Sequence, residues 1–123
     1  MARETAEIPA AAGRLLARAD LFTNLAERIE RAKPRIMVFC GRGSSGHVGV
    51  YLRYLFEVRL GMVASAAAPS VVTAYRRPPD FRDALFVVVS QSGRSPDVID
   101  ATQMARKFGA LTLAIVNDEN SPA

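Results

Sequence analysis

The sequence Phe-Val-Val-Val-Ser-Gln-Ser-Gly-Arg-Ser-Pro-Asp, residues 86 to 97, joins an apolar run directly to a polar loop. A continuous apolar run rich in valine is typical of a strand covered on both faces of a sheet. After the loop, Ser95 suits a helix N-cap, Pro96 the first helical position and Asp97 the first turn. The stretch therefore predicts a buried strand, a hydroxyl-rich loop and a helix, in that order.

The rest of the chain repeats this alternation of strand and helix. Apolar runs predict strands over residues 35–40, 61–67, 84–89 and 111–116, and spacing at the helical period predicts helices from Val48 until Gly61, over 69–75 and over 96–108. Buried strands that alternate with helices favour parallel strands joined by right-handed crossovers. We therefore expect an α/β fold, a three-layer α/β/α sandwich with a parallel sheet.

An amphipathic pattern precedes the first strand and sets the expected domain division. Apolar residues recur every three to four positions over 12–32, with charges between them, which predicts one helix that ends near Lys33-Pro34. We expect residues 1–33 to form an N-terminal helical segment that packs on the domain formed by 34–123.

Composition limits the partners and the location. The net charge is +4, but the basic residues are scattered and adjacent only in the pairs Arg76-Arg77 and Arg106-Lys107, so we expect no nucleic-acid partner and favour a small phosphorylated metabolite as the anion. The apolar residues come in short blocks and the N-terminus lacks the apolar core of a secretory signal, so we expect no membrane partner. The single cysteine, Cys40, forms no internal disulfide, and we expect a cytoplasmic protein.

Two loops have the composition of anion-binding sites. The first, residues 40–46, contains three glycines, and either Ser44 or Ser45 can cap the following helix and present a hydroxyl. The second, residues 90–95, has the same position between a strand end and a helix start, where unpaired N–H groups and the helix dipole attract an anion. Ligands of doubly wound sheets bind at the carboxyl ends of strands, so we expect the two loops to form one site.

Other nucleotide and metal sites fit the sequence less well. Gly41 to Gly46 matches the letters Gly-x-Gly-x-x-Gly of a dinucleotide site, but no acidic residue follows about twenty residues later to hold a ribose. Neither loop contains the lysine of a nucleotide P-loop. With His47 as the only histidine and Cys40 as the only cysteine, we expect no metal site and no cofactor.

The motifs of both loops resemble one family. Residues 90–95 with Gly43-Ser-Ser45 and Arg53 to Glu57 resemble the sugar isomerase (SIS) domain family, in particular the isomerase half of glucosamine-6-phosphate synthase. The segments Gly41 to His47, Ala67 to Ser70 and Val116 to Glu119 are similar to the glucosamine-6-phosphate deaminases built on the same fold. The resemblance extends from about residue 12 to the end of the chain.

The resemblance implies a flavodoxin-like SIS subdomain that binds a sugar 6-phosphate and forms a homodimer. It places phosphate and sugar contacts on seven residues, namely Gly43, Ser44, Ser45, Ser90, Gln91, Ser92 and Ser95. Apart from the resemblance, the loop arginines Arg42 and Arg94 and the first-turn His47 are further candidates, because a guanidinium pairs with phosphate and an imidazole can contact the sugar or act as an acid–base group. The implied reaction interconverts glucosamine 6-phosphate and fructose 6-phosphate through an open-chain sugar and proton transfer between C1 and C2. Its catalytic residues are not identified by these motifs.

Three interpretations of the whole protein remain open. In the family the groups that move protons lie mainly in a second SIS subdomain, so we expect residues 34–123 to be a first subdomain that stops before its last strand and before that second one. We expect this chain alone to be inactive. The alternative is a non-catalytic SIS module that senses a sugar phosphate, as in transcriptional regulators, and a third interpretation is a doubly wound domain that binds another anion.

Overall fold

The computed structural model describes residues 2–77, 79–118 and 120–123. Its nine elements, in chain order, are α1 (Ala2–Leu16), α2 (Ala19–Ala32), β1 (Ile36–Cys40), α3 (Ser44–Leu60), β2 (Val63–Ala66), α4 (Pro69–Thr73), β3 (Ala84–Ser90), α5 (Pro96–Lys107) and β4 (Leu111–Val116). They form two compact units, one that ends at Arg31 and one over Ala32–Ala123. Among the residues described, no helix is long and apolar enough to cross a membrane.

The N-terminal unit contains two helices, so the prediction of one helix over 12–32 is wrong. The α1 ladder ends where the Arg18 N–H bonds the Leu15 carbonyl oxygen at 3.0 Å, and a new ladder starts where the Leu21 N–H bonds the Arg18 carbonyl oxygen at 3.1 Å. Asp20 lies in the first turn of α2, where a carboxylate is stabilised by the helix dipole. The apolar spacing runs across this break without interruption, which is why it predicted a single helix.

The second unit is built on a parallel sheet of four strands in the order β2-β1-β3-β4. β1 pairs with β2 on one side and with β3 on the other, and β3 pairs with β4. The chain moves outward in one direction from β1 to β2 and in the other from β3 to β4, so strand order reverses between β1 and β3. The α/β fold with a parallel sheet is thus confirmed.

Side chains of alternate strand residues lie on opposite faces of the sheet, and both faces are buried. On one face Cys40, Phe86 and Val88 form a continuous apolar cluster with Val98 and Ala101 of α5. On the other face Phe39 packs against α3, where Gly49 leaves room for its ring. Helices cover both faces, so the three-layer α/β/α arrangement is confirmed.

The predicted elements of this unit are confirmed with small shifts of their ends. β3 extends one residue further than predicted, to Ser90, and α3 begins earlier, at Ser44. Gly61 ends α3 in the left-handed conformation with a φ of 61°, as its place after the last apolar position of the helix predicts. β3 is the most buried strand because both neighbouring strands and both helix layers cover it.

Candidate anion-binding site

Two loops meet at the carboxyl ends of β1 and β3, which are neighbours in the sheet. Residues 41–43 connect β1 to α3, and residues 91–95 connect β3 to α5. Because the two strands are parallel, both helices begin at the same edge of the sheet, where strand order reverses. The two loops are therefore brought together, as the sequence predicted.

The first loop turns into α3 through a glycine. Gly43 is the N-cap, with a φ of 55° that L-residues rarely adopt, and no side chain caps the helix. Ser44 and Ser45 are the first two residues of α3, so the prediction that one of them is the N-cap is wrong. A glycine takes that position because the backbone there has a positive φ, and the two hydroxyls are left free of a capping role.

The second loop is fixed by its own side chains. The Gly93 N–H donates to Ser90 Oγ at 3.1 Å, and the Arg94 N–H donates to Ser92 Oγ at 3.3 Å. Gly93 has a φ of 60°, and a Cβ built there would lie 2.5 Å from the side chain of Ser121. Only glycine fits this turn, because both the backbone conformation and the packing exclude a side chain.

The start of α5 follows the prediction. Ser95 is the N-cap, Pro96 stands in the first turn and Asp97 supplies an acidic residue there. The Ser95 side chain makes no capping hydrogen bond. Pro96 has no N–H and the Val98 N–H bonds the Ser95 carbonyl oxygen at 3.1 Å, so the groups left for a ligand are the Ser95 hydroxyl and the Asp97 N–H.

Together the loops enclose a cavity of about 230 Å³. It is lined by Arg42, Ser44, Ser45, Val89, Ser90, Gln91, Ser92, Ser95 and Val98. Five hydroxyls, an amide and a guanidinium thus surround a small space with apolar residues among its lining. Hydroxyls and amides both donate and accept hydrogen bonds, and such groups bind phosphate oxygens or sugar hydroxyls without a metal.

The arginines of the two loops are both paired with carboxylates. Arg42 Nη1 donates to Asp97 Oδ2 at 2.9 Å, and Arg94 Nη2 donates to Asp118 Oδ2 at 2.9 Å. The hydrogen bond from Arg94 lowers the pKa of the Asp118 carboxyl below its usual value, with a smaller contribution from the Asn120 N–H. Asp97 and Asp118 were not foreseen as partners, because each is distant in sequence from its arginine.

Three of the ten candidate residues do not line the cavity. Gly43 shapes the turn, His47 is exposed on α3, and Arg94 faces Asp118 instead of the cavity. The other seven line it.

Neither the Cys40 thiol nor a metal ion adds reactive chemistry to the described residues at this edge of the sheet. Cys40 ends β1 with 1% of its surface exposed, and burial raises the pKa of its thiol to about 11, with a smaller contribution from the Asp97 charge. A thiol in this state is a packing residue and not a nucleophile. In the described part of the chain, no group of three or more His, Cys, Asp or Glu residues could hold a metal ion.

A second cavity, of about 250 Å³, lies between the sheet and α4 and α5. Its lining is mostly apolar, including Val72, Phe81 and Phe86, and no serine loop or arginine reaches it. Its polar side chains are Ser65 and the acidic Asp80, so an anion would lose hydration there for few hydrogen bonds. Of these two cavities, the serine-lined one is therefore the better candidate site for an anion.

Comparison with known proteins agrees with this geometry. A model of the SIS domain family matches residues 29–123. The glutamine–fructose-6-phosphate aminotransferase (isomerizing) of Campylobacter jejuni subsp. jejuni is 36% identical over 85 residues, which are 69% of this chain and 14% of that protein. The chain therefore spans only about a seventh of the length of this curated relative.

Two solved structures extend the comparison. A protein of Silicibacter pomeroyi DSS-3, provisionally described as a phosphosugar isomerase, superposes with a TM-score of 0.92 at 40% identity, over 98% of this chain and 37% of that one. The Vibrio vulnificus NanR protein, solved in complex with ManNAc-6P, superposes with a TM-score of 0.71 at 27% identity, over 98% of this chain and 48% of that one. The family model covers well over half of the residues, and the chain belongs to the SIS domain family.

Proposed function

We propose that this chain is the sugar-phosphate-binding subdomain of an enzyme that acts on amino-sugar 6-phosphates. In this proposal the phosphate lies in the serine-lined cavity, in contact with the hydroxyls of Ser44, Ser45, Ser92 and Ser95. The observation that carries the proposal is the convergence of five serines and two helix N-termini on one cavity. Relatives named for fructose 6-phosphate chemistry support the substrate class.

The proposed reaction is the interconversion of glucosamine 6-phosphate and fructose 6-phosphate, by deamination or isomerisation through an open-chain sugar. The described side chains that line the cavity are hydroxyls, an amide, a guanidinium and two valines. None of these side-chain types commonly serves as a general base, so their proposed role is to bind and orient the substrate. We accordingly expect no turnover from the 123-residue chain on its own.

Calorimetric titration tests this proposal. Wild type should bind glucosamine 6-phosphate and fructose 6-phosphate, and should bind glucosamine and fructose much more weakly. Ser92→Ala should weaken binding of both phosphates by about ten- to hundredfold, since a hydrogen bond to a charged group contributes about 1.5–3 kcal/mol. Ser70→Ala is the matched control, because Ser70 is exposed on α4 and does not line the cavity.

Two results would sink the proposal. One is the absence of binding by wild type at millimolar sugar phosphate. The other is an affinity that Ser92→Ala and Ser70→Ala leave equally unchanged. Measurable turnover would leave the binding site in place but would contradict the assignment of a binding role alone.

A second candidate is a non-catalytic sensor of a sugar phosphate within a regulator. The observation that favours it is the similarity to NanR, which was solved with ManNAc-6P. The N-terminal unit also contains two helices, the number that a helix-turn-helix needs. This candidate predicts binding to double-stranded DNA that changes when sugar phosphate is added, whereas the enzyme proposal predicts no DNA binding.

A further inference from the structure

The two arginines of the site loops differ in where they lie. Arg42 lines the serine-lined cavity, whereas Arg94 does not. Each is paired with one carboxylate, Arg42 with Asp97 and Arg94 with Asp118. Among the described residues that line the cavity, Arg42 is the one with a full charge.

The pair of Arg42 and Asp97 connects the two loops. Its two residues are 55 positions apart, one in the loop after β1 and the other in the first turn of α5. The recorded bond uses only Nη1 of Arg42, at 2.9 Å from Asp97 Oδ2. A guanidinium has five N–H donors, so four of them remain for an anion while this bond is intact.

The two partners are held to different degrees. Asp97 follows Pro96 in the first turn of α5, so the helix fixes its backbone. Arg42 stands between two glycines, and its side chain is 69% exposed against 29% for Asp97. A long side chain on such a loop has many rotamers in water unless a partner restricts it.

We propose that Asp97 is a positioning residue that holds the Arg42 guanidinium at the cavity, where Arg42 binds the phosphate of the substrate. Arg42 thereby selects a phosphorylated sugar over a neutral one, and Arg94 has no such role. This inference rests on the proposed function, since it names the charged contact of the same site.

Asp97 affects anion binding in two opposing ways, by its own negative charge and by restricting the Arg42 side chain. The negative charge of Asp97 repels an anion, but part of that charge is compensated by the arginine it holds. Restricting Arg42 in advance removes most of the ordering cost that the ligand would otherwise bear. We expect the benefit of ordering Arg42 to exceed the repulsion between Asp97 and the anion, because a partly exposed carboxylate is screened by water and salt.

The test is calorimetric titration of the 123-residue chain with fructose 6-phosphate and, separately, with inorganic phosphate. Arg42→Ala should weaken binding of both by about tenfold, the usual size for a charge-assisted hydrogen bond. Asp97→Asn should weaken both by about threefold, the scale of ordering one long side chain. Asp97→Glu keeps the carboxylate and should recover most of the loss.

A double-mutant cycle separates positioning from a direct or purely structural role. In the Arg42→Ala background, Asp97→Asn should cause no further loss, because there is no guanidinium left to position. Asp100→Asn is the matched control, since it removes an exposed carboxylate from the same helix outside the cavity. Melting temperatures of all variants exclude loss of folded protein as the cause.

Each of the alternative results decides against the inference. Tighter binding by Asp97→Asn would show that Asp97 competes with the anion. An equal loss in both Arg42 backgrounds would show that Asp97 acts independently of Arg42. An Arg42→Ala loss no larger than that of Arg94→Ala would show that only net charge matters.

The two proposals fail in distinguishable ways. If wild type binds fructose 6-phosphate and Ser92→Ala weakens it, but Arg42→Ala does not, the proposed function stands and this inference is wrong. If wild type binds only inorganic phosphate, with the expected losses at Arg42 and Asp97, the inference stands and the sugar-phosphate function is wrong. If neither ligand binds, both are wrong.

Discussion

Replacing Gly49 with alanine tests how closely α3 packs on the sheet. The N-terminus of α3 contributes half of the candidate site. Gly49 is buried in α3 and faces Phe39 of β1, and a Cβ built there would lie 2.2 Å from two ring atoms of Phe39. Ordinary contact begins at 3.4 Å, so the ring or the helix must move by about 1.2 Å. Phe39 is 94% buried, and part of this movement can be taken up by a cavity of about 200 Å³ that Phe39 and Gly49 both line.

The expected cost combines two opposing effects. Overpacking a core of this kind costs about 1–3 kcal/mol, and the higher helix propensity of alanine returns about 1 kcal/mol. We expect Gly49→Ala to lower the free energy of unfolding by up to about 2 kcal/mol relative to wild type, and the melting temperature by roughly 4–8 °C for each kcal/mol lost in a unit of this size. Thermal unfolding followed by circular dichroism measures both.

Gly46→Ala is the matched control on the same helix. No heavy atom lies within 4 Å of a Cβ built at Gly46, so this substitution should keep the propensity gain without a clash. Phe39→Leu should reduce the cost of Gly49→Ala, because a smaller side chain leaves room for the methyl group. If Gly49→Ala melts at or above the temperature of Gly46→Ala, the close packing of α3 on β1 is refuted.

Three further predictions concern the edge of the sheet. Burial raises the pKa of the Cys40 thiol to about 11 from an ordinary 9.0, which leaves about a hundredfold less thiolate at pH 8. We therefore expect Cys40 to react with a disulfide reagent at pH 8 about a hundredfold more slowly in folded protein than in urea. Equal reaction rates would contradict the burial of Cys40. Gly93→Ala should weaken sugar-phosphate binding and lower the melting temperature, because its φ of 60° and the contact with Ser121 exclude a side chain; unchanged values in both assays would refute this. Arg94 lowers the pKa of the Asp118 carboxyl, so this ion pair should stabilise the fold above the ordinary carboxyl pKa and lose that effect as the pH falls through the lowered pKa. We expect an NMR titration of Asp118 to give a midpoint below 3.8 that rises in Arg94→Ala. Identical midpoints in wild type and Arg94→Ala would contradict this prediction.

Much of the fold could be predicted from sequence because its signals are local. The strands β1 and β3 are continuous apolar runs, and Gly61 ends α3 where the helical period ends. The break at residues 17–18 was missed because apolar positions continue across it at helical spacing. Helix ends depend on single hydrogen bonds, which periodicity does not report.

The candidate site could be predicted only in part. Serines and glycines between a strand and a helix are a local signal, and seven of the ten candidates do line one cavity. The pairing of Arg42 with Asp97 depends on tertiary structure, because the loops meet only once β1 and β3 lie side by side. The packing of Gly49 against Phe39 likewise depends on tertiary structure. In the sequence alone, Gly49 is only a residue of low helix propensity.

The central claim is that a sugar phosphate binds between the two serine loops, and NMR mapping tests it most directly. Titration of ¹⁵N-labelled chain with fructose 6-phosphate should shift the backbone N–H signals of residues 43–46, 90–95, 97 and 98 together, in one saturable transition. Residues around the apolar cavity between the sheet and the helices α4 and α5 should shift little. Shifts centred on that apolar cavity, or none in the two loops at millimolar ligand, would contradict the account.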